Sequence, residues 1–118
     1  MAVVTTHLLN SVFGTHAGGV GIELLCIEPS GVRTTVFERE TDAGGRLAET
    51  VKIPKGHGDA EYELVFRTGP YFAAQSPPQR TKQIVKEIVI RFSMPDPDAS
   101  YHIPLMIAPN NYSVWWSS

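Results

Sequence analysis

The stretch Tyr101–Tyr112, YHIPLMIAPNNY, constrains this chain more than any other. From Tyr101 to Ala108, bulky and β-branched residues run between an Asp/Pro-rich segment and an Asn/Pro turn, a pattern that predicts a strand. Alternation puts Tyr101, Ile103, Leu105 and Ile107 on one face, and His102, Pro104, Met106 and Ala108 on the other. The first is a core face. The second carries a titratable imidazole, a proline that cannot donate to a ladder and a flexible thioether. Such a face suits an interface or a ligand site better than a sandwich interior. Read alone, His102 is an ordinary structural histidine, so its role rests on what surrounds it.

The rest of the chain punctuates itself into short strands. Val3–Leu9 alternates, with Val3, Thr5, His7 and Leu9 opposed to Val4, Thr6 and Leu8. Asn10–Gly19 reads as a turn-rich loop in which His16 is an exposed loop residue. Val20–Glu28 is a mostly apolar, central strand, and Val32–Thr41 a partly solvated one. The turn Asp42-Ala43-Gly44-Gly45 releases Arg46 into a strand reaching Ile53. Pro54–Asp59 is a loop that leaves His57 on the surface, and Glu61–Arg67 is another strand. Thr68 reads as the cap of a short helix, Pro70 to Gln75, stopped by Ser76-Pro77-Pro78. Arg80 and Lys82 lead into a strand running from Ile84, with Ile88, Ile90, Phe92 and Met94 on one face. A last strand runs from Tyr112 to the end. Seven or eight short strands, one short helix and turns every eight to twelve residues predict an all-β, two-sheet antiparallel sandwich.

With 118 residues and no internal linker, the chain is expected to form a single domain, residues 1–118, with its own core. A net charge of −2 offers no footprint for nucleic acid or anionic membrane. No apolar run approaches the roughly 20 residues that span a bilayer. The start lacks a secretory pattern and the end lacks a peroxisomal one, so a cytoplasmic protein is expected. The lone Cys26 excludes an internal disulfide and lies in the apolar run Leu24–Ile27, where it reads as a small hydrophobe rather than a nucleophile. His7, His16, His57 and His102 show no ligand-like spacing, which argues against zinc. Ser113, Ser117 and Ser118 lack a nucleophile elbow.

Four stretches carry a family resemblance: TTHLLN at 5–10, TDAGGR at 41–46, YELVFRTGPYF at 62–72 and YHIPLMIAPNNYS at 101–113. They resemble, in order and spacing, the transthyretin-like proteins, whose enzymatic branch hydrolyses 5-hydroxyisourate in urate breakdown. The resemblance implies an eight-stranded transthyretin-like sandwich assembled as a homotetramer. Its site would lie between subunits and use His7, Arg46, His102 and the C-terminal tetrapeptide, with no cofactor. Hydrolysing a cyclic amide or lactam needs a base titrating near neutrality, which imidazole supplies, and a fixed cation where the oxyanion forms, which Arg46 supplies. Either histidine could be the base.

The tail departs from the family. Urate-pathway members typically end in Tyr-Arg-Gly-Ser; here the substrate-binding end is Trp115, Trp116, Ser117 and Ser118. A charged donor has been exchanged for a large ring with one N–H. Two alternatives to 5-hydroxyisourate hydrolysis therefore stand beside it. One is a relative recruited to another aromatic or cyclic intermediate of specialised metabolism. The other is a non-catalytic small-molecule carrier like transthyretin, against which the histidines argue.

Overall fold

Residues 1–57, 59–75 and 82–118 are described by a computed structural model. Its central strand, β1 (Ala2–Asn10), buries every second residue: Ala2, Val4, Thr6, Leu8 and Asn10. One edge of β1 pairs antiparallel with β5 (Arg46–Val51) and with the two-residue β2 (Thr15–His16). The other edge pairs in parallel with β8 (Ser100–His102) and β9 (Leu105–Ile107). An antiparallel β10 (Tyr112–Val114) closes that side.

Thr5 lies opposite His102 and Leu8 opposite Leu105, at the same offset. So β8 and β9 are one strand interrupted at Ile103-Pro104, where an unbroken strand was expected. The cause is Pro104, which has no N–H for the ladder. Register survives because Ile103 N–H donates to the Thr5 carbonyl at 2.9 Å and the Thr6 hydroxyl donates to the Ile103 carbonyl at 2.6 Å. The expected faces hold: Tyr101, Ile103, Leu105 and Ile107 are buried, while Met106 is exposed.

The second sheet is antiparallel in the order β4 (Arg33–Glu40), β3 (Gly21–Ile27), β6 (Glu61–Arg67), β7 (Ile88–Ser93). With β8 and β9 joined, and β2 and β5 sharing one edge of β1, each sheet is four columns wide, in keeping with the expected sandwich of about eight strands. Leu8, Leu105 and Ile107 from one sheet meet Ile22, Leu24, Leu64 and Phe66 from the other in the core.

Strand β5 ends at Val51 rather than Ile53 and β10 at Val114 rather than at the end of the chain, and two further boundaries differ from those expected. Helix α1 (Thr68–Ala73) springs directly from β6, with no side-chain cap and with Thr68 buried rather than capping. Burial of Phe72 and the bond from Gly69 N–H to the Lys86 carbonyl (2.9 Å) hold this turn instead. The expected stop at Ser76-Pro77-Pro78, and Arg80, lie outside the described residues. Strand β7 begins at Ile88 rather than Ile84. The amides of Ile84 and Val85 are taken by the Asn110 side-chain oxygen at 2.7 and 3.2 Å, which docks this segment on a turn instead of a ladder. Among the described residues, no helix is long and apolar enough to cross a membrane.

Glu63 is buried on β6 between Arg33 of β4, at 2.5 Å, and Arg91 of β7, at 3.0 Å. Hydrogen bonds from these guanidinium groups hold its carboxyl below the usual 4.5. A depressed folded-state value means stability that is present above the unfolded value and lost as pH falls through the folded one. Glu63→Gln should therefore flatten the acid limb of the stability curve below about pH 4.5, as followed by denaturant midpoints at successive pH values.

Candidate active site

The outer face of the six-stranded sheet gathers residues that are remote in sequence. His7 on β1 stands directly opposite Arg46 on β5. Thr5, two residues earlier on the same face, stands opposite His102. The Thr5 hydroxyl and His102 Nδ1 share a hydrogen bond of 2.8 Å, which fixes the imidazole and leaves Nε2 as its working nitrogen. His7, Arg46 and His102 are thus brought together, as expected from the sequence.

Arg46 is aimed by its turn. Asp42 Oδ1 accepts from the amides of Gly44 and Arg46, both at 2.9 Å, while Gly45 N–H donates to the Asp42 carbonyl. Gly45 has φ +74° and lies pressed beneath β1; a Cβ there would stand 2.4 Å from the Leu8 carbonyl and 3.0 Å from the Ala17 nitrogen. Only glycine fits both the dihedral and the space.

His16 joins the cluster, although the sequence reading left it as an isolated loop residue. Asn10 Oδ1 accepts from the amides of Val12 and Phe13, Gly14 turns the chain at φ +70°, and β2 pairs back with Leu9 opposite His16. That pairing puts His16 on the face of His7. His7 Nε2 lies 3.0 Å from His16 Nδ1, and the rings stack at 5.2 Å with 29° between their planes. Reading Ser11–Gly14 as a four-residue hairpin loop, with glycine last, would have placed it there.

Burial, followed by the nearby charges of Arg46 and His16, pushes His7 below the ordinary 6.5, opposed by a hydrogen bond with the Gly44 backbone. His7 is therefore neutral at neutral pH and able to accept a proton. Thr5, Arg46 and His102 line an open groove with the Arg39–Glu49 ion pair (2.9 Å) beside it. Within one protomer this groove is shallow and unroofed.

The tail runs alongside. Ser117 and His102 exchange backbone hydrogen bonds at 2.9 and 3.0 Å, and Trp115 N–H donates to the Pro104 carbonyl at 3.4 Å. These continue the β9–β10 register past Val114, with Trp115 opposite Pro104 and Ser117 opposite His102. Trp115 and Trp116 are both exposed, at 49% and 62%. Ser117 is half-buried and Ser118 is exposed. His57 lines a separate concavity with Glu28 and Glu61 and stands apart from the cluster. Burial and Glu28 push the Cys26 thiol up, which suits an inert cysteine. Among the described residues, no three His, Cys, Asp or Glu side chains are grouped to hold a metal.

The sequence profile of the HIUase/Transthyretin family matches residues 4–116. The chain is 32% identical to a 5-hydroxyisourate hydrolase of Halalkalibacterium halodurans over 98% of its length and 97% of that protein. Its fold superposes on the Klebsiella pneumoniae 5-hydroxyisourate hydrolase with a TM-score of 0.74 and 28% identity, covering both chains completely. It also superposes on Sparus aurata transthyretin with a TM-score of 0.76 at 21% identity, over 97% and 95% of the two chains, a likeness of fold alone. The chain belongs to the HIUase/Transthyretin family. Within it, the chain is a hydrolase of the kind its curated relatives represent.

Gly45→Ala should destabilise the domain by about 3 kcal/mol or more, because the left-handed dihedral and the backbone overlap act together. Chemical denaturation measures this directly. The neighbouring Gly44→Ala has only the Asp42 carboxylate oxygen at 3.4 Å to accommodate and should cost much less.

Proposed function

We propose that the protein hydrolyses 5-hydroxyisourate, with His7, Arg46 and His102 as its working groups. The observation that carries this reading is the convergence of a neutral imidazole, a second imidazole anchored through Nδ1 and a fixed guanidinium on one sheet face. His7 accepts a proton from water as the water oxygen bonds to the cyclic amide carbonyl carbon. The carbonyl oxygen becomes an oxyanion beside Arg46. The ring C–N bond then breaks, and the departing nitrogen takes a proton supplied by His102. The 28–33% identity to curated 5-hydroxyisourate hydrolases over nearly the whole chain supports this substrate.

His7→Asn and His102→Asn should each remove most turnover of 5-hydroxyisourate, and the double variant should be little worse than the worse single one. Effects that multiply would show that the two histidines do not share a site. Because His7 sits below the ordinary 6.5, the acid limb of wild-type kcat/KM should have its midpoint below that value. An acid-limb midpoint above 6.5 would overturn His7 as the base.

The active form we propose is a homotetramer in which a neighbouring subunit roofs the groove. The exposed apolar side chains Met106, Tyr112, Val114, Trp115 and Trp116 support this, since so large an apolar area is seldom left in water. Light scattering at micromolar concentration should give four times the protomer mass.

A second reading, a bulkier cyclic amide as substrate, is favoured by the tail tryptophans alone. Under it, Trp116→Arg combined with Ser117→Gly would raise turnover of 5-hydroxyisourate, by up to the roughly 30- to 1,000-fold that a charge-assisted contact to an oxyanion is worth. Wild-type turnover at ordinary enzymatic rates removes this reading.

A further inference from the structure

We propose that His16 is the proton-relay partner of His7, so that the two imidazoles work as one acid–base unit. The inference rests on the hydrolytic reading above but draws on separate geometry. His7 Nε2 and His16 Nδ1 lie 3.0 Å apart, within hydrogen-bond reach, and one proton occupies that edge. The contact is built by the fold: the Asn10-capped turn, Gly14 and the Leu9–His16 pairing all hold His16 in register. His7 is half-buried and His16 exposed, so the pair leads from the sheet face beside Arg46 toward water.

An imidazole relay takes up a proton at one nitrogen and gives one up at the other. A proton taken from the attacking water at His7 Nδ1 is balanced by transfer of the Nε2 proton to His16 Nδ1. His16 then releases one from its own Nε2 to solvent. No net charge accumulates beside Arg46, where a lasting imidazolium would be repelled. The charged and titratable groups facing His7 are Arg46 from β5, His16 from β2 and His102 from β8, with the Gly44 backbone as its remaining polar neighbour. Among the described residues, His16 is thus the titratable side chain within hydrogen-bond reach of the His7 ring, and it can both accept and give up a proton.

Two readouts test this. The first needs no turnover: the His7 ring is titrated by NMR in wild type and in His16→Ala. The His7 midpoint should rise in the variant, since both the hydrogen bond to the neutral ring and the neighbouring like charge are lost. Superimposable titrations would overturn the pairing. In wild type itself, the His7 ring signals should follow more than one macroscopic step, and a single independent step would overturn the pairing even if the variant failed to fold. The second is kinetic. His16→Ala and His16→Asn should each lower kcat about tenfold or more with KM little changed, and added imidazole should restore part of the loss in His16→Ala. The Asn amide oxygen keeps an acceptor near the Nδ1 position but cannot carry a proton through, so wild-type activity in His16→Asn would overturn the relay. If no protein, wild type included, opens 5-hydroxyisourate while the His7 titration still shifts, the pairing stands and the substrate assignment fails.

Discussion

The backbone of Leu8 is the point on which the site depends. Its N–H donates to the Gly45 carbonyl at 2.8 Å, and its carbonyl accepts from Ala17 N–H at 2.9 Å. These two bonds tie the turn that carries Arg46 and the loop that carries His16 to the same residue of β1, next to His7. Thr41 extends the tie: its hydroxyl donates to the Ala17 carbonyl and accepts from Val20 N–H. Each of these groups is buried, so losing one partner would leave the other unsatisfied in a dry environment. The result is a rigid frame beneath side chains that remain on the surface.

The electrostatics follow from that frame. Burial of the His7 ring, and then Arg46 and His16 held beside it, make His7 resist protonation. The arrangement favours a neutral base beside a permanent cation, which is the pairing that water addition to an amide carbonyl requires. The second sheet handles charge differently. There Glu63 lies between Arg33 and Arg91, so opposite charges compensate one another across three neighbouring strands.

Much of this was legible in the residues. Period-2 alternation identified both faces of β1 and the buried face of Tyr101–Ile107, because burial of one side of a sheet leaves that signature directly. The Asp42–Gly45 turn was legible because glycine marks a dihedral other residues avoid. Boundaries were less so. Thr68 looked like a cap but is buried within the helix, and Ile84 looked like strand but gives its amide to Asn110. Both errors arose where a distant partner outcompeted a local preference.

Sequence by itself determined the class of sandwich, the core faces and the identity of His7, Arg46 and His102 as residues of interest, since alternation, turn chemistry and motif order are local properties of a chain. Only the tertiary structure decided that β1 pairs in parallel with the Tyr101–Ile107 stretch and that this stretch breaks at Pro104 without losing register. It also decided that the tail runs beside His102, through Ser117, and that His16 meets His7. Those facts depend on which strand edges meet and at what offset. Hydrogen-bond pairing between residues far apart in the chain sets that offset, and no local pattern encodes it.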